Sequence, residues 1–87
     1  MAATEEETIA KHVELARYLA SGLLGDDVEF EASGRLDRDQ IRIELHVPES
    51  DRGRVIGRGG RLARAMRNIL GASGLGTHRN IVLDIVD

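Results

Sequence analysis

The chemistry of this chain is concentrated in the run Gly57-Arg58-Gly59-Gly60. Glycines at both ends of a short turn let the backbone bend sharply and approach another backbone with no Cβ between them. A helix opening directly from Gly60 would aim its unpaired N–H groups and the positive end of its dipole into that turn, where a phosphate can sit. Arg58 inside the turn, with Arg54 and Arg61 flanking it and Arg64 one helical turn on, would add charge-assisted contacts to a sugar-phosphate backbone. A helix-turn-helix corner that needs glycine only for its geometry has the same local sequence. The turn by itself therefore leaves both readings open.

Other chemistries fail on detail. No GxxxxGK[ST] occurs, and Gly57-Arg58-Gly59-Gly60-Arg61-Leu62 ends in Leu where a dinucleotide fingerprint needs its third glycine. His12, His46 and His78 lack metal-ligand spacing, and Ser21, Ser33, Ser50 and Ser73 sit in no nucleophile-elbow sequence. A chain of 87 residues is one small domain, 1–87, and a domain of this size rarely encloses a catalytic pocket. The expectation is a non-enzyme with no metal or cofactor. The absence of cysteine removes disulfides and thiolate sites and favours a reducing compartment. Met1 to Glu7 is acidic and no long apolar run follows, so neither a signal peptide nor a membrane partner is expected, and the predicted localisation is cytoplasmic.

The net charge of −3 conceals a segregation. Eight acidic and two basic side chains lie in residues 1–31, whereas residues 52–79 hold seven arginines and no acid. These are Arg52, Arg54, Arg58, Arg61, Arg64, Arg67 and Arg79. Local charge, not the total, sets the field a ligand meets, and the planar guanidinium fork suits phosphate.

The elements that would position this turn follow from periodicity. Thr4 with Glu7 makes a capping box, and Ile9, Val13, Ala16, Ala20 and Leu23 recur at helical spacing, predicting a helix over about 5–23. Val28, Phe30 and Ala32 alternate with polar residues, Gly34 to Asp39 supply turn chemistry, and Ile41, Ile43, Leu45 and Val47 make a second strand with one buried face. The two strands should form a hairpin. After Pro48 comes a two-turn helix to Ile56, then the glycine turn, then a helix from Arg61 to about Leu70. On that helix Leu62, Ala63, Ala65, Met66, Ile69 and Leu70 fall on one side and Arg61, Arg64, Arg67 and Asn68 on the other. Asn80 to Val86 is an almost continuously apolar strand, which predicts burial on both faces. Returning through a helical crossover, it should lie parallel to its predecessor. The result is an α+β domain in the order α-β-β-α-α-β, with a three-stranded mixed sheet and helices packed on one face.

The run Val55-Ile56-Gly57-Arg58-Gly59-Gly60-Arg61-Leu62-Ala63-Arg64-Ala65-Met66-Arg67 resembles the signature of KH domains, whose GxxG loop clamps single-stranded backbone. The element order is that of the type II, bacterial-style KH fold. Almost the whole chain is similar to the small stand-alone bacterial KH proteins of the KhpA (YlqC) family, through its length, the Pro48-Glu49 pair, the VIGxxGRxAxAxR run and the closing Ile85-Val86-Asp87. The resemblance implies a protein that binds single-stranded RNA in post-transcriptional regulation and that self-associates or pairs with a larger multidomain KH partner. It places the backbone clamp on Gly57, Arg58, Gly59 and Gly60, and begins an aliphatic base groove at Ile56, with Val55, Leu62 and Met66 in the core. The chain departs from the family at Gly71 to Gly76, where a helical, Ala- and Lys-rich segment usually continues.

Composition favours this module over other RNA binders. The aromatic residues are Tyr18 and Phe30, neither in the basic stretch, so a base-stacking platform of the RRM type is not expected. The competing reading is a protein-interaction or dimerisation module, for which the acidic first helix and the arginine pole would meet head to tail. Retention of both end glycines and of Arg58 favours RNA. The choice between RNA and single-stranded DNA stays open at this level.

Overall fold

The computed structural model describes residues 4–25, 29–57, 60–73 and 79–86. Its elements are α1 Glu5–Leu24, β1 Glu31–Asp37, β2 Gln40–His46, α2 Glu49–Ile56, α3 Arg61–Ser73 and β3 Asn80–Val86. The order matches the sequence expectation. Helix α1 begins at its capping signal: the Thr4 hydroxyl accepts from the Glu7 N–H at 3.1 Å, and Glu5, Glu6 and Glu7 occupy the first turn, where the helix dipole favours acid.

The sheet order is β1-β2-β3, with β1 antiparallel and β3 parallel to the central β2. Alternation sends Ile41, Ile43 and Leu45 of β2 into the core, where they meet Ala16 and Ala20 of α1, Val55 of α2, Met66 and Leu70 of α3 and Leu83 of β3. All three helices thus cover the same face of the sheet.

Four details differ from expectation. The turn of the hairpin is Arg38-Asp39 alone, and β1 continues through Gly34 to Asp37, which pairs with Gln40. Gly34 is therefore a packing glycine. A Cβ there would lie 2.7 Å from Val13 Cγ2, 2.8 Å from Ile9 Cγ2 and 3.0 Å from Ile43 Cδ1, so its absence is what lets α1 settle onto the sheet. Arg38 instead takes the positive φ, 59°, that a tight two-residue hairpin demands. Second, β3 is an edge strand: Leu83 is buried, but Val82, Asp84 and Val86 lie on the sheet face that no helix covers. Its apolarity serves the core side through Ile81, Leu83 and Ile85. Third, α3 runs on to Ser73, past the expected end near Leu70. A Cβ at Gly71 would meet open space, so this glycine costs only its helix propensity, about 1 kcal/mol against Ala. Residues 74–78 lie outside the described residues. Fourth, among the described side chains of α3 Ala63, Met66 and Leu70 are buried, Ala65 and Ile69 are exposed and Leu62 is half-buried.

The uncovered sheet face is an ion-pair lattice. Arg42 Nε bonds Asp37 at 2.9 Å while its Nη1 bonds Asp84, and Arg35 bonds Glu44 at 3.2 Å. The Arg42 guanidinium holds the Asp37 carboxyl below its usual range. Glu31, Asp37, Glu44 and Asp84 on this face outnumber Arg35 and Arg42, whose charges are already matched. The face offers a polyanion nothing. The arginines of α2 and α3 lie on the helical side.

Candidate nucleic-acid interface

Helix α2 ends at Ile56, and Gly57 caps it with φ 77°, its N–H bonding the Gly53 carbonyl at 2.9 Å. Gly60 also has positive φ, 75°, and its N–H donates to the Gly57 carbonyl at 3.1 Å. This bond closes the turn. A side chain at Gly57 is excluded twice: by its φ and because a Cβ would sit 2.8 Å from Leu62 Cγ and 3.2 Å from the Leu62 backbone nitrogen. Both end glycines thus hold backbone angles that L side chains rarely adopt. Arg58 and Gly59, the middle pair of the expected clamp, lie outside the described residues.

The flanking cations are distributed along two helices. Arg61 and Arg64 are exposed on α3, and Arg64 Nη2 stands 3.7 Å from where a Gly60 Cβ would be, so its charge hangs over the end of the turn. Arg54 is exposed in the last turn of α2, 3.9 Å from Asp51, close enough for a weak surface pair. Ile56, beside the turn, is 40% exposed. Turn, arginines and an apolar residue therefore meet at one end of the helical layer.

Two arginines of the acid-free stretch do other work. Arg79 bonds Glu5 at 3.1 Å and Asp39 at 3.3 Å, tying the start of β3 to the start of α1 and to the hairpin turn. Arg67 reaches the edge of the sheet. The Val47 N–H donates to the Val86 carbonyl at 2.9 Å, so the main chain of Val86 faces β2, and alternation turns the main-chain groups of Ile81, Leu83 and Ile85 outward. Arg67 Nε donates to the Leu83 carbonyl at 3.3 Å. The sequence placed Arg67 among the cations of α3 but gave no hint of this bond, because it depends on which edge of β3 is left unpaired.

Helix α3 thus has three sectors rather than two. Ala63, Met66 and Leu70 enter the core, Arg64 and Arg67 line the flank toward the β3 edge, and at about 100° per residue Leu62, Ala65 and Ile69 fall on the opposite flank. Among the described residues no group of three or more His, Cys, Asp or Glu could hold a metal ion, and no helix is long and apolar enough to cross a membrane.

An α-β-β-α-α-β chain with a mixed three-stranded sheet, helices on one face and a glycine-bracketed turn between its second and third helices is a type II KH domain. Residues 13–85 match the family model described as KhpA/KhpB, KH domain. The RNA-binding protein KhpA of Borreliella burgdorferi is 36% identical over 75 residues, covering 86% of this chain and 92% of that protein. The RNA-binding protein KhpA of Streptomyces coelicolor is 41% identical over 76 residues, covering 85% and 90% respectively. That of Aquifex aeolicus is 38% identical, covering 74% and 96%. The chain belongs to the KhpA/KhpB family of KH-domain proteins.

Proposed function

We propose that this protein is a non-catalytic binder of single-stranded RNA that grips the sugar-phosphate backbone with the Gly57–Gly60 turn. The observation that carries the reading is the closed turn itself: two positive-φ glycines joined by a hydrogen bond, with α3 opening immediately behind it and Arg64 overhanging it. Arg58 supplies charge within the clamp, Gly59 the close approach, and Arg54, Arg61 and Arg64 the cationic approach along the helices. Ile56 begins the apolar floor on which bases rest. The ion-paired sheet face and the lack of aromatic residues on it favour this side of the molecule over a sheet platform. Three relatives named as RNA-binding proteins support the same reading. A cytoplasmic role in post-transcriptional regulation fits a small binder of this kind.

The test is fluorescence anisotropy of labelled single-stranded RNA across a salt series. Binding is expected at low salt, with log K falling against log salt by about 0.7 per neutralised phosphate. No binding at low salt would refute a stand-alone clamp.

A second function, self-association or pairing with a larger KH-type protein, is supported by apolar side chains left in solvent away from the cationic flank. Tyr18 is 76% exposed on α1 and Ile69 is 45% exposed on α3. Light scattering over a micromolar range is expected to give a mass that rises with concentration above the 9.5 kDa monomer, and Ile69→Asp is expected to lower it. A constant monomer mass would exclude self-association.

A further inference from the structure

We propose that the outer edge of β1 pairs with the same edge of a second copy of this chain, joining two three-stranded sheets into one about a two-fold axis at Ser33. The interface is separate from the glycine turn and from the apolar flank of α3. Both β1 and β3 are edge strands, but they are not equally open. On β3 the Arg67 Nε–H fills the Leu83 carbonyl at 3.3 Å, in the middle of the strand. Among the described residues no such bond closes β1. The Val47 N–H reaches the Val86 carbonyl, so odd-numbered residues of β2 turn their main chain toward β3 and even-numbered ones toward β1. Opposite these, Glu31, Ser33, Arg35 and Asp37 are bonded, which leaves the main-chain groups of Ala32, Gly34 and Leu36 facing outward. The strand has neither the proline nor the bulge that commonly blocks an edge.

Charge selects the partner and the register. With Ser33 opposite Ser33, Glu31 stands across from Arg35 of the second copy and Arg35 across from its Glu31, so opposite charges meet twice. Centring the antiparallel pair on Gly34 instead sets Glu31 against Asp37, and centring it on Arg35 sets that guanidinium against itself. Centring it on Ala32 leaves Glu31 facing Ser33. In the favoured register Ala32 faces Gly34 on the helix side, and Leu36, 41% exposed, comes opposite half-buried Phe30. Beyond the strand Asp37 meets Glu29, but Asp37 is already bonded to Arg42. The helices agree with this arrangement. Helix α1 lies over β1 and α3 over β3. At about 100° per residue Glu6, Ala10 and Arg17 fall on the flank of α1 turned away from α3, opposite buried His12 and half-buried Leu19. The axis runs the two α1 helices antiparallel, with the small Ala10 near their crossing and Glu6 of each on the side of Arg17 of the other.

The chain has no cysteine, so a single one reports on a single place. Opposed residues of an antiparallel pair that exchange no main-chain bonds stand about 4.5 Å apart at Cα, within disulfide reach. Ser33→Cys is therefore expected to oxidise to a linked dimer on a non-reducing gel, while Gln40→Cys, on the same sheet face but one strand inward, stays monomeric. Sedimentation velocity supplies the second arm, with circular dichroism confirming the fold of each variant. Glu31→Arg alone and Arg35→Glu alone each set like charges across the axis twice, and each is expected to raise the dissociation constant of the dimer by about tenfold or more. An equimolar mixture of the two variants is expected to restore the dimer, because every guanidinium of one chain then faces a carboxylate of the other. If association is equally strong in wild type and both single variants, and Ser33→Cys stays unlinked, the copies meet elsewhere, as at the α3 flank, and this interface falls. If wild type stays monomeric and Ser33→Cys stays unlinked, the edge of β1 takes no second copy and the proposal falls, whatever the outcome for RNA.

Discussion

Replacing Arg58 and Gly59 together by Asp is expected to abolish single-stranded RNA binding, a loss of roughly 100-fold or more, with thermal stability unchanged. The substitution removes the one cation of the pair and puts two carboxylates where the proposed clamp meets phosphate, and like charges brought together cost several kcal/mol. It leaves both end glycines in place. Gly57 and Gly60 keep their positive φ, the bond between them remains, and the contact of Gly57 with Leu62 is untouched. Anisotropy with the same labelled RNA, beside a melt followed by circular dichroism, separates the two effects. Wild-type affinity in the folded variant would move the phosphate site away from this turn.

Gly34→Val should destabilise the protein by about 3 kcal/mol, against the direction that strand propensity predicts. Val is among the best strand formers and glycine among the worst, a preference of up to about 1 kcal/mol. At this position packing overrides it. The new Cβ would lie 2.7 to 2.8 Å from the Cγ2 methyls of Val13 and Ile9, both β-branched residues with restricted χ1 in a helix, so α1 itself must back away from the sheet. A chain of this length has roughly 4 to 13 kcal/mol to lose, and the melting temperature should fall by roughly 12 to 24 °C. Chemical denaturation measures the free energy directly. Adding Val13→Ala, which removes one of the two blocking methyls, should recover part of the loss. A more stable Gly34→Val would mean that α1 does not depend on the glycine for its approach.

Much of this architecture was legible because local signals agreed with one another. Thr4 with Glu7 announced α1, the alternation of Ile41, Ile43 and Leu45 announced the central strand, and the Gly57 to Gly60 run announced the turn between two helices. What escaped depended on partners distant in sequence. Gly34 looks like turn chemistry in the sequence because a glycine that admits a helix and one that bends a chain have the same letter, and the helix at Ile9 and Val13 distinguishes them. The apolar run of β3 predicts burial on both faces, yet an edge strand with half-buried Val82 and Val86 has the same composition. Arg79 looked like one more cation for a polyanion until the hairpin turn and the start of α1 brought Asp39 and Glu5 beside it. At the site, the cations of α3 were identified but their division of labour was not: Arg64 follows from helical spacing, while the Arg67 bond to Leu83 requires knowledge of the parallel pairing.

The position of β2 also sets a timetable for synthesis. Its antiparallel neighbour precedes it across the Arg38-Asp39 turn, but its parallel neighbour begins only at Asn80, which pairs with Gln40. While the ribosome adds the intervening segment, at roughly 5 to 20 residues per second, the innermost strand of the domain waits roughly two to eight seconds with one side unpaired. During that interval α1 and the hairpin can assemble, yet Ile43 and Leu45 lack the strand that seals them, and the nascent chain carries an adhesive edge. The native sheet is therefore completed last by β3, and slow translation between α2 and β3 prolongs the period in which neighbouring chains can stick to one another.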